Sequence, residues 1–186
     1  MTANLLPILL AAALGAGSPA AAGTPSPDEA LRQRIDAYLG SIDTPIPASR
    51  WRALGPGAVP ILAAVARDAA ELPTWRARAL AVLSLIGGDE AIEAAKGVAL
   101  AEGPLLVRVE AVDSLARLVP KAELGAALGP VMARADHPGV RAAAAQALAL
   151  RGTPADCPAV EAQAAAEPAP ERPRYRRALE ACGTVR

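Results

Sequence analysis

The chain has 186 residues, a length that suits one domain with a continuous hydrophobic core. Its 19 basic and 19 acidic residues leave no net charge, so no overall field attracts it to nucleic acid or to an acidic membrane. Phenylalanine is absent and aromatic residues are few, so we expect a core of leucine, valine and alanine.

The N-terminal segment has the pattern of a secretory signal. Residues 5–14 form an apolar run of the length of a signal hydrophobic region, too short to span a bilayer. Ala20-Ala21-Ala22 supplies small residues for cleavage, and no cysteine follows the run as a lipoprotein anchor would require. We predict a signal peptide over 1–22, cleavage after Ala22, and a periplasmic or secreted chain without a membrane span. An uncleaved apolar tail is the alternative, because no Lys or Arg precedes the run.

A flexible linker is predicted over 23–27, and a helical domain over 28–186. Ser26 is a good N-cap and Pro27 a good first helical residue, so a helix should run to about Leu39. A short helix carrying Trp51 follows, and Gly- and Pro-rich turns then separate the remaining helices. These are expected near 58–70, 74–86, 89–101, 105–119, 122–135, 139–151, 155–166 and 173–182. No segment alternates with the period of a strand, so the predicted class is all-α.

One apolar pattern returns four times, at intervals of 32 to 34 residues. Its clearest copy spans 140–148, and Leu83, Leu115, Leu148 and Cys182 mark equivalent positions. Each predicted helix is amphipathic and cannot bury its apolar stripe alone. A fixed period of this size predicts a solenoid of stacked helical units.

The copy that opens with Asp136-His137-Pro138-Gly139-Val140-Arg141 and continues into an alanine-rich run resembles the HEAT repeat. It resembles in particular the short HEAT-like repeat first defined in phycobilin lyases, over roughly residues 48–183. The resemblance implies a right-handed α-α superhelix of about four to five helical hairpins, whose second helices line a concave surface.

In such repeats, an aspartate before the turn and an arginine after the valine tie adjacent units together in a side-chain ladder. The resemblance gives these roles to Asp136 and Arg141, and it places Arg76 and Arg108 at the arginine position. Before Arg108, the sequence has Ala101-Glu102-Gly103 where the aspartate is expected. The ladder is therefore expected to be incomplete.

Residues suited to catalysis or to metal binding are scarce. His137 is the single histidine, and in a turn it is expected to be a cap or a solvated side chain rather than a catalytic base. No His and Cys cluster has metal-ligand spacing, and no glycine-rich loop leads into Lys-Ser/Thr. We therefore predict a protein that is not an enzyme and has no cofactor or metal.

Trp51 and Trp75 are interpreted as filling the end of the core. The alternative is that one of them is an exposed anchor for a partner.

The C-terminal hairpin carries both cysteines. Cys157 and Cys182 lie thirteen residues before and twelve after Pro170, so antiparallel packing should bring them to the same end. A disulfide is predicted in an oxidising compartment, with two buried thiols as the alternative. Cys157 should share a buried stripe with Val160, opposite an outward-facing Glu167.

A basic cluster lies nearby and is formed by Arg172, Arg174, Arg176 and Arg177. It is interpreted either as a site for an anionic partner or as the polar face of a capping unit.

The leading hypothesis is a non-catalytic HEAT-repeat scaffold of a bacterial envelope, a monomer that binds a protein partner and no nucleic acid on its concave face. The predicted contact residues lie on the polar faces of second helices: Glu90, Glu93 and Lys96 on one unit, Glu123 and Arg134 on the next. One alternative is an enzyme of the chromophore-lyase type, whose family shares the repeat. A less favoured alternative is a nucleic-acid-binding helical array, which would need a strongly basic groove.

Overall fold

The structure is a computed structural model that describes residues 25–41 and 43–183. The signal-peptide prediction over 1–22 lies outside the described residues. Within them there are ten α-helices and no strand, which confirms the all-α class. The helices are α1 Pro27–Leu39, α2 Ala48–Arg52, α3 Ala58–Arg67, α4 Pro73–Ile86, α5 Asp89–Leu100, α6 Leu105–Leu118, α7 Leu124–Arg134, α8 Pro138–Arg151, α9 Cys157–Ala166 and α10 Arg176–Ala181.

Local side-chain chemistry sets several helix ends. At the start of α1, the Ser26 hydroxyl accepts a hydrogen bond from the Glu29 amide at 3.2 Å, and Pro27 is the first helical residue, as predicted. Helix α3 ends at Arg67 rather than near residue 70. There the Asp68 carboxylate accepts from the Ala70 amide at 2.9 Å, a local turn that competes with continued helix.

The last helix is shorter than predicted. Residues 173–182 were expected to form one helix, but Arg172–Tyr175 form a 3₁₀ turn and α10 begins at Arg176. Pro173 has no amide hydrogen to donate and Arg172 is held by carbonyl groups at the end of α9, so the α-helical hydrogen bonds start later. A similar 3₁₀ turn, Lys121–Glu123, precedes α7.

The helices pack in two layers. Helices α4, α6, α8 and α10 lie side by side in the first layer, and α3, α5, α7 and α9 form the second. Neighbours also pack across the layers, most extensively α3 with α4, α5 with α6, and α7 with α8. The main contacts of each helix are therefore with helices one or two places away along the chain.

The core lies between the layers and is built from leucine, valine and alanine. The equivalent leucines Leu83, Leu115 and Leu148 are all buried, and the alanines around them allow close helix approach. At the N-terminal end, Trp51 is buried and contacts the Tyr38 ring edge-on, with ring centroids 5.1 Å apart. Trp51 thus fills the end of the core, as interpreted from the sequence.

Candidate protein-binding surface

Three arginines occupy the same place on successive first-layer helices, and each donates to a carbonyl at the C-terminal end of a second-layer helix. The unpaired carbonyls and the negative dipole end of a helix favour a cationic donor there. The hydrogen bonds are Arg76 Nε to Ala66 O at 3.1 Å, Arg108 Nε to Ala99 O at 3.3 Å, and Arg141 Nη1 to Ala135 O at 2.9 Å.

Two of these arginines also form ion pairs with an acidic residue that follows the next second-layer helix. Arg108 Nη1 lies 2.5 Å from Asp136 Oδ1, so Asp136 pairs with the arginine of α6 rather than with Arg141 of α8. This bond holds the pKa of Asp136 below its usual range. Arg141 instead pairs with Glu167, at 2.6 Å from Nε to Oε1 and 2.6 Å from Nη2 to Oε2.

Glu167 is the centre of a buried polar cluster that the sequence did not predict. Its carboxylate also accepts from Gln163 Nε2 at 3.0 Å and from the Tyr175 hydroxyl at 2.8 Å. Hydrogen bonds from Arg141 lower the pKa of Glu167 to about 2, against the opposing effect of burial. Burial, with the hydrogen bond to Glu167, raises the pKa of Tyr175.

The predicted outward position of Glu167 was wrong. Glu167 is 2% exposed because α9 ends at Ala166, and residue 167 leaves the helical path and turns inward over α8. The sequence did contain possible partners for Glu167, because Tyr175 and Arg141 in adjoining elements both carry hydrogen-bond donors. Helical periodicity alone, however, assigned Glu167 to the wrong face.

The predicted contact residues are partly brought together by a groove between α5 and α7, of about 320 Å³. Glu93, Lys96 and Glu123 line it, and Lys96 Nζ lies 2.9 Å from Glu93 Oε1. Glu90 and Arg134 are exposed on the same two helices, but they are not among the residues that line the groove. The remaining lining residues are Asp89, Ile92, Val119, Ala126 and Ala127.

The charge of this groove is negative. Three carboxylates, those of Asp89, Glu93 and Glu123, face one ammonium group, that of Lys96. Ile92 and Val119 add apolar surface between them. The groove therefore offers apolar contact with a net negative rim, an arrangement that suits a basic or neutral protein segment.

The C-terminal hairpin is closed by its cysteines. Cys157 and Cys182 lie at disulfide distance, with their Cα atoms 5.6 Å apart. The adjoining arginines are largely engaged within the chain. Arg172 donates to the carbonyls of Glu167 and Ala165, and the remaining contacts are the ion pairs of Arg174 with Glu171 and of Arg176 with Glu180.

The histidine has a structural place. His137 is the N-cap of α8, and its Nδ1 accepts from the Gly139 amide at 3.0 Å, so its interpretation as a cap is confirmed.

Among the described residues, no His, Cys, Asp and Glu side chains are grouped so that they could hold a metal ion. Over the same residues, no helix has the length and apolar character needed to cross a membrane. Comparison with protein-family models, curated proteins and solved structures finds no match to the chain.

Proposed function

We propose that the chain is a non-catalytic scaffold of HEAT-like repeats that binds a protein partner in the bacterial envelope. The observation that carries this proposal is the groove between α5 and α7, which joins Glu93 and Lys96 of one unit to Glu123 of the next. A surface that spans two units is the kind that stacked helical repeats use for partners. Glu90 and Arg134 are exposed on the same two helices, outside the groove.

Two further features support the architecture and the compartment. The arginine contacts of α4, α6 and α8 with the preceding helix ends recur from unit to unit, as stacked repeats require. The Cys157–Cys182 pair at disulfide distance is compatible with an oxidising compartment. A right-handed superhelix, and export after cleavage following Ala22, complete the proposal.

Native purification from the periplasm of a bacterial host, with mass spectrometry of the bound components, tests the function. We expect a protein in stoichiometric amount and a mature chain that begins at Gly23. A bound tetrapyrrole would favour the lyase-type enzyme instead, and bound nucleic acid would favour a nucleic-acid-binding array. A full-length chain recovered only from the cytosol would contradict the assignment to the envelope.

A further inference from the structure

Arg78 of α4 caps the end of α1 with one nitrogen of its guanidinium. Its Nη1 donates to the carbonyls of Leu39 and Ser41, to the second at 2.7 Å. Both carbonyls lie at the C-terminal end of α1, where carbonyls lack partners within the helix. The other two nitrogens of Arg78, Nε and Nη2, form no hydrogen bond or ion pair with the residues that the structure describes. The cap therefore fixes the guanidinium through one nitrogen alone.

Arg141 has the same arrangement and holds a carboxylate with it. Its Nη1 likewise donates to two carbonyls at the end of a helix, those of Ala135 and Asp136. Its Nε and Nη2 donate to the two carboxylate oxygens of Glu167, each at 2.6 Å. A planar guanidinium matches a carboxylate in this two-point geometry. Arg78 thus has the capping half of the arrangement, and its Nε and Nη2 are the nitrogens that bind the carboxylate in Arg141.

A cavity of about 340 Å³ lies between the end of α1, helix α2 and helix α4, and Arg78 lines it. Among the described residues that line this cavity, Arg78 is the only charged one. Most of the others are aromatic or aliphatic, such as Tyr38, Ile46 and Leu85. A mostly apolar cavity of this size with one or a few polar groups is typical of a site for a small ligand.

The charge of Arg78 has no counterpart in the described part of the chain. Asp36 and Asp43 lie on either side of the two carbonyls that Arg78 caps, but neither forms an ion pair with it. Arg78 is half-buried, so its charge is only partly screened by water. The cavity is therefore complementary to an anion that carries an apolar group.

We propose that this cavity binds a small aliphatic carboxylate, with Arg78 donating to the carboxylate from Nε and Nη2. The aliphatic group would pack against Ile46 and Leu85 in the same cavity. Because the cap of α1 already fixes the guanidinium, little of its conformational freedom is lost on binding. A free short-chain acid and the C-terminal residue of a peptide both offer this chemistry, and the test separates them.

This site is separate from the groove of the proposed function. The cavity beside Arg78 and the groove between α5 and α7 have no lining residue in common. Binding of a carboxylate at Arg78 therefore does not depend on a partner in the groove. Variants of one site leave the other unchanged, so failure of this proposal and failure of the proposed function are distinguishable.

The test is an NMR titration of the full chain, followed through the arginine Nε–Hε resonances. One probe is 3-methylbutanoate, and the other is acetyl-alanyl-alanyl-leucine with a free carboxylate. We expect a saturable shift of the Arg78 resonance with at least one probe, and none for Arg141, whose Nε and Nη2 are bound to Glu167. The probe that binds more tightly identifies the source as a free acid or a chain end. The neutral amides of both probes should leave the Arg78 resonance unmoved.

Two variants test the two halves of the site. Arg78→Lys keeps the positive charge but loses the two-point geometry, and should weaken binding of the carboxylate several-fold or more. Leu85→Ala keeps the guanidinium and its cap but removes apolar contact, and should also weaken binding several-fold. The matched control is Arg151→Lys, which makes the same exchange at an exposed residue outside the cavity and should bind as wild type does.

Three results would contradict the proposal. An Arg78 resonance that stays unmoved by both carboxylates, or that moves equally with their amides, would show that the cavity does not select a carboxylate. Unchanged affinity in both Arg78→Lys and Leu85→Ala would place the bound probe elsewhere. Binding that appears only in Asp36→Asn or Asp43→Asn would show that a carboxylate of the chain itself takes the position.

Discussion

Arg141 and Glu167, 26 residues apart, are joined by two hydrogen bonds of 2.6 Å. Arg141 lies near the start of α8, and Glu167 lies at the end of α9. Arg141 also donates to the carbonyls of Ala135 and Asp136, so its guanidinium links the end of α7, the start of α8 and the end of α9. Glu167 in turn accepts a hydrogen bond from the hydroxyl of Tyr175, the residue that precedes α10. The pair therefore ties the end of α9 and the start of α10 to α7 and α8.

Removal of the Glu167 charge should destabilise the fold. Glu167→Gln leaves the Arg141 guanidinium without its counter-charge in a buried site, which is expected to cost about 3 kcal/mol in the free energy of unfolding. Urea denaturation at neutral pH measures this change. The matched control is Glu171→Gln, which removes the more exposed ion pair with Arg174 and should cost less than about 1 kcal/mol. Equal effects of the two variants would contradict this role of Glu167.

The same pair predicts a pH dependence. The pKa of Glu167 in the folded chain is about 2, below its ordinary 4.5, so the unfolded chain binds this proton more readily. The contribution to stability is complete above about pH 4.5 and is lost as the pH falls toward about 2, by about 3 kcal/mol at about 1.4 kcal/mol per pKa unit. Denaturation curves of wild type and Glu167→Gln should therefore converge in acid. A constant difference between them across this range would refute the shift.

Substitution of the two partners of the Arg108–Asp136 pair is expected to lower the stability of the fold by different amounts. Arg108 is buried and donates to Ala99 O, whereas the Asp136 side chain is 66% exposed. Arg108→Ala removes both the packing of the stem and a helix-end donor, and should cost about 2 kcal/mol or more. Asp136→Ala leaves the buried Arg108 guanidinium without its counter-charge and should also destabilise the fold, but less than Arg108→Ala, because Asp136 is itself exposed and water can reach the Nη1 group that it leaves. A larger effect of Asp136→Ala would reverse this assignment.

The cysteine pair should form a disulfide in protein taken from an oxidising compartment. The bridge closes a loop with a sequence separation of 25 and should stabilise the fold by about 3 kcal/mol in the chain-entropy model. Peptide mapping without reductant should recover Cys157 linked to Cys182, and reduction should lower the thermal midpoint. A Cys157→Ser, Cys182→Ser double variant should match the reduced wild type. Two alkylatable thiols in periplasmic protein would exclude the bridge.

Periodicity predicted the helices well, because alternating turns and apolar stripes are local properties of the chain. The α6 stripe of Ala111, Val112 and Leu115 is buried, and Asp113 and Arg117 opposite are exposed. Periodicity failed where a helix ends, since beyond the last helical residue the spacing of 100° per residue no longer applies. Glu167 was therefore assigned to solvent although it is buried.

The contact surface could be predicted only in part. Glu93, Lys96 and Glu123 were placed on outward faces from their spacing, but the spacing could not show that their helices adjoin at these positions. Glu90 and Arg134 belong to the same helices but are not among the residues that line the groove. The partner of Arg108 likewise depended on the packing of α6 against α8, which its own sequence neighbourhood does not show.

Partner retention by groove variants tests the central claim most directly. Wild type and a Glu93→Lys, Glu123→Lys double variant would be isolated from the same periplasm, and the co-purifying protein identified with the wild type would be quantified in both. The control is Glu29→Lys, Asp113→Lys, which makes the same change in net charge at exposed residues outside the groove. We predict that the groove variant loses most of the partner while the control retains it. Equal retention by all three proteins would contradict binding through the groove of α5 and α7.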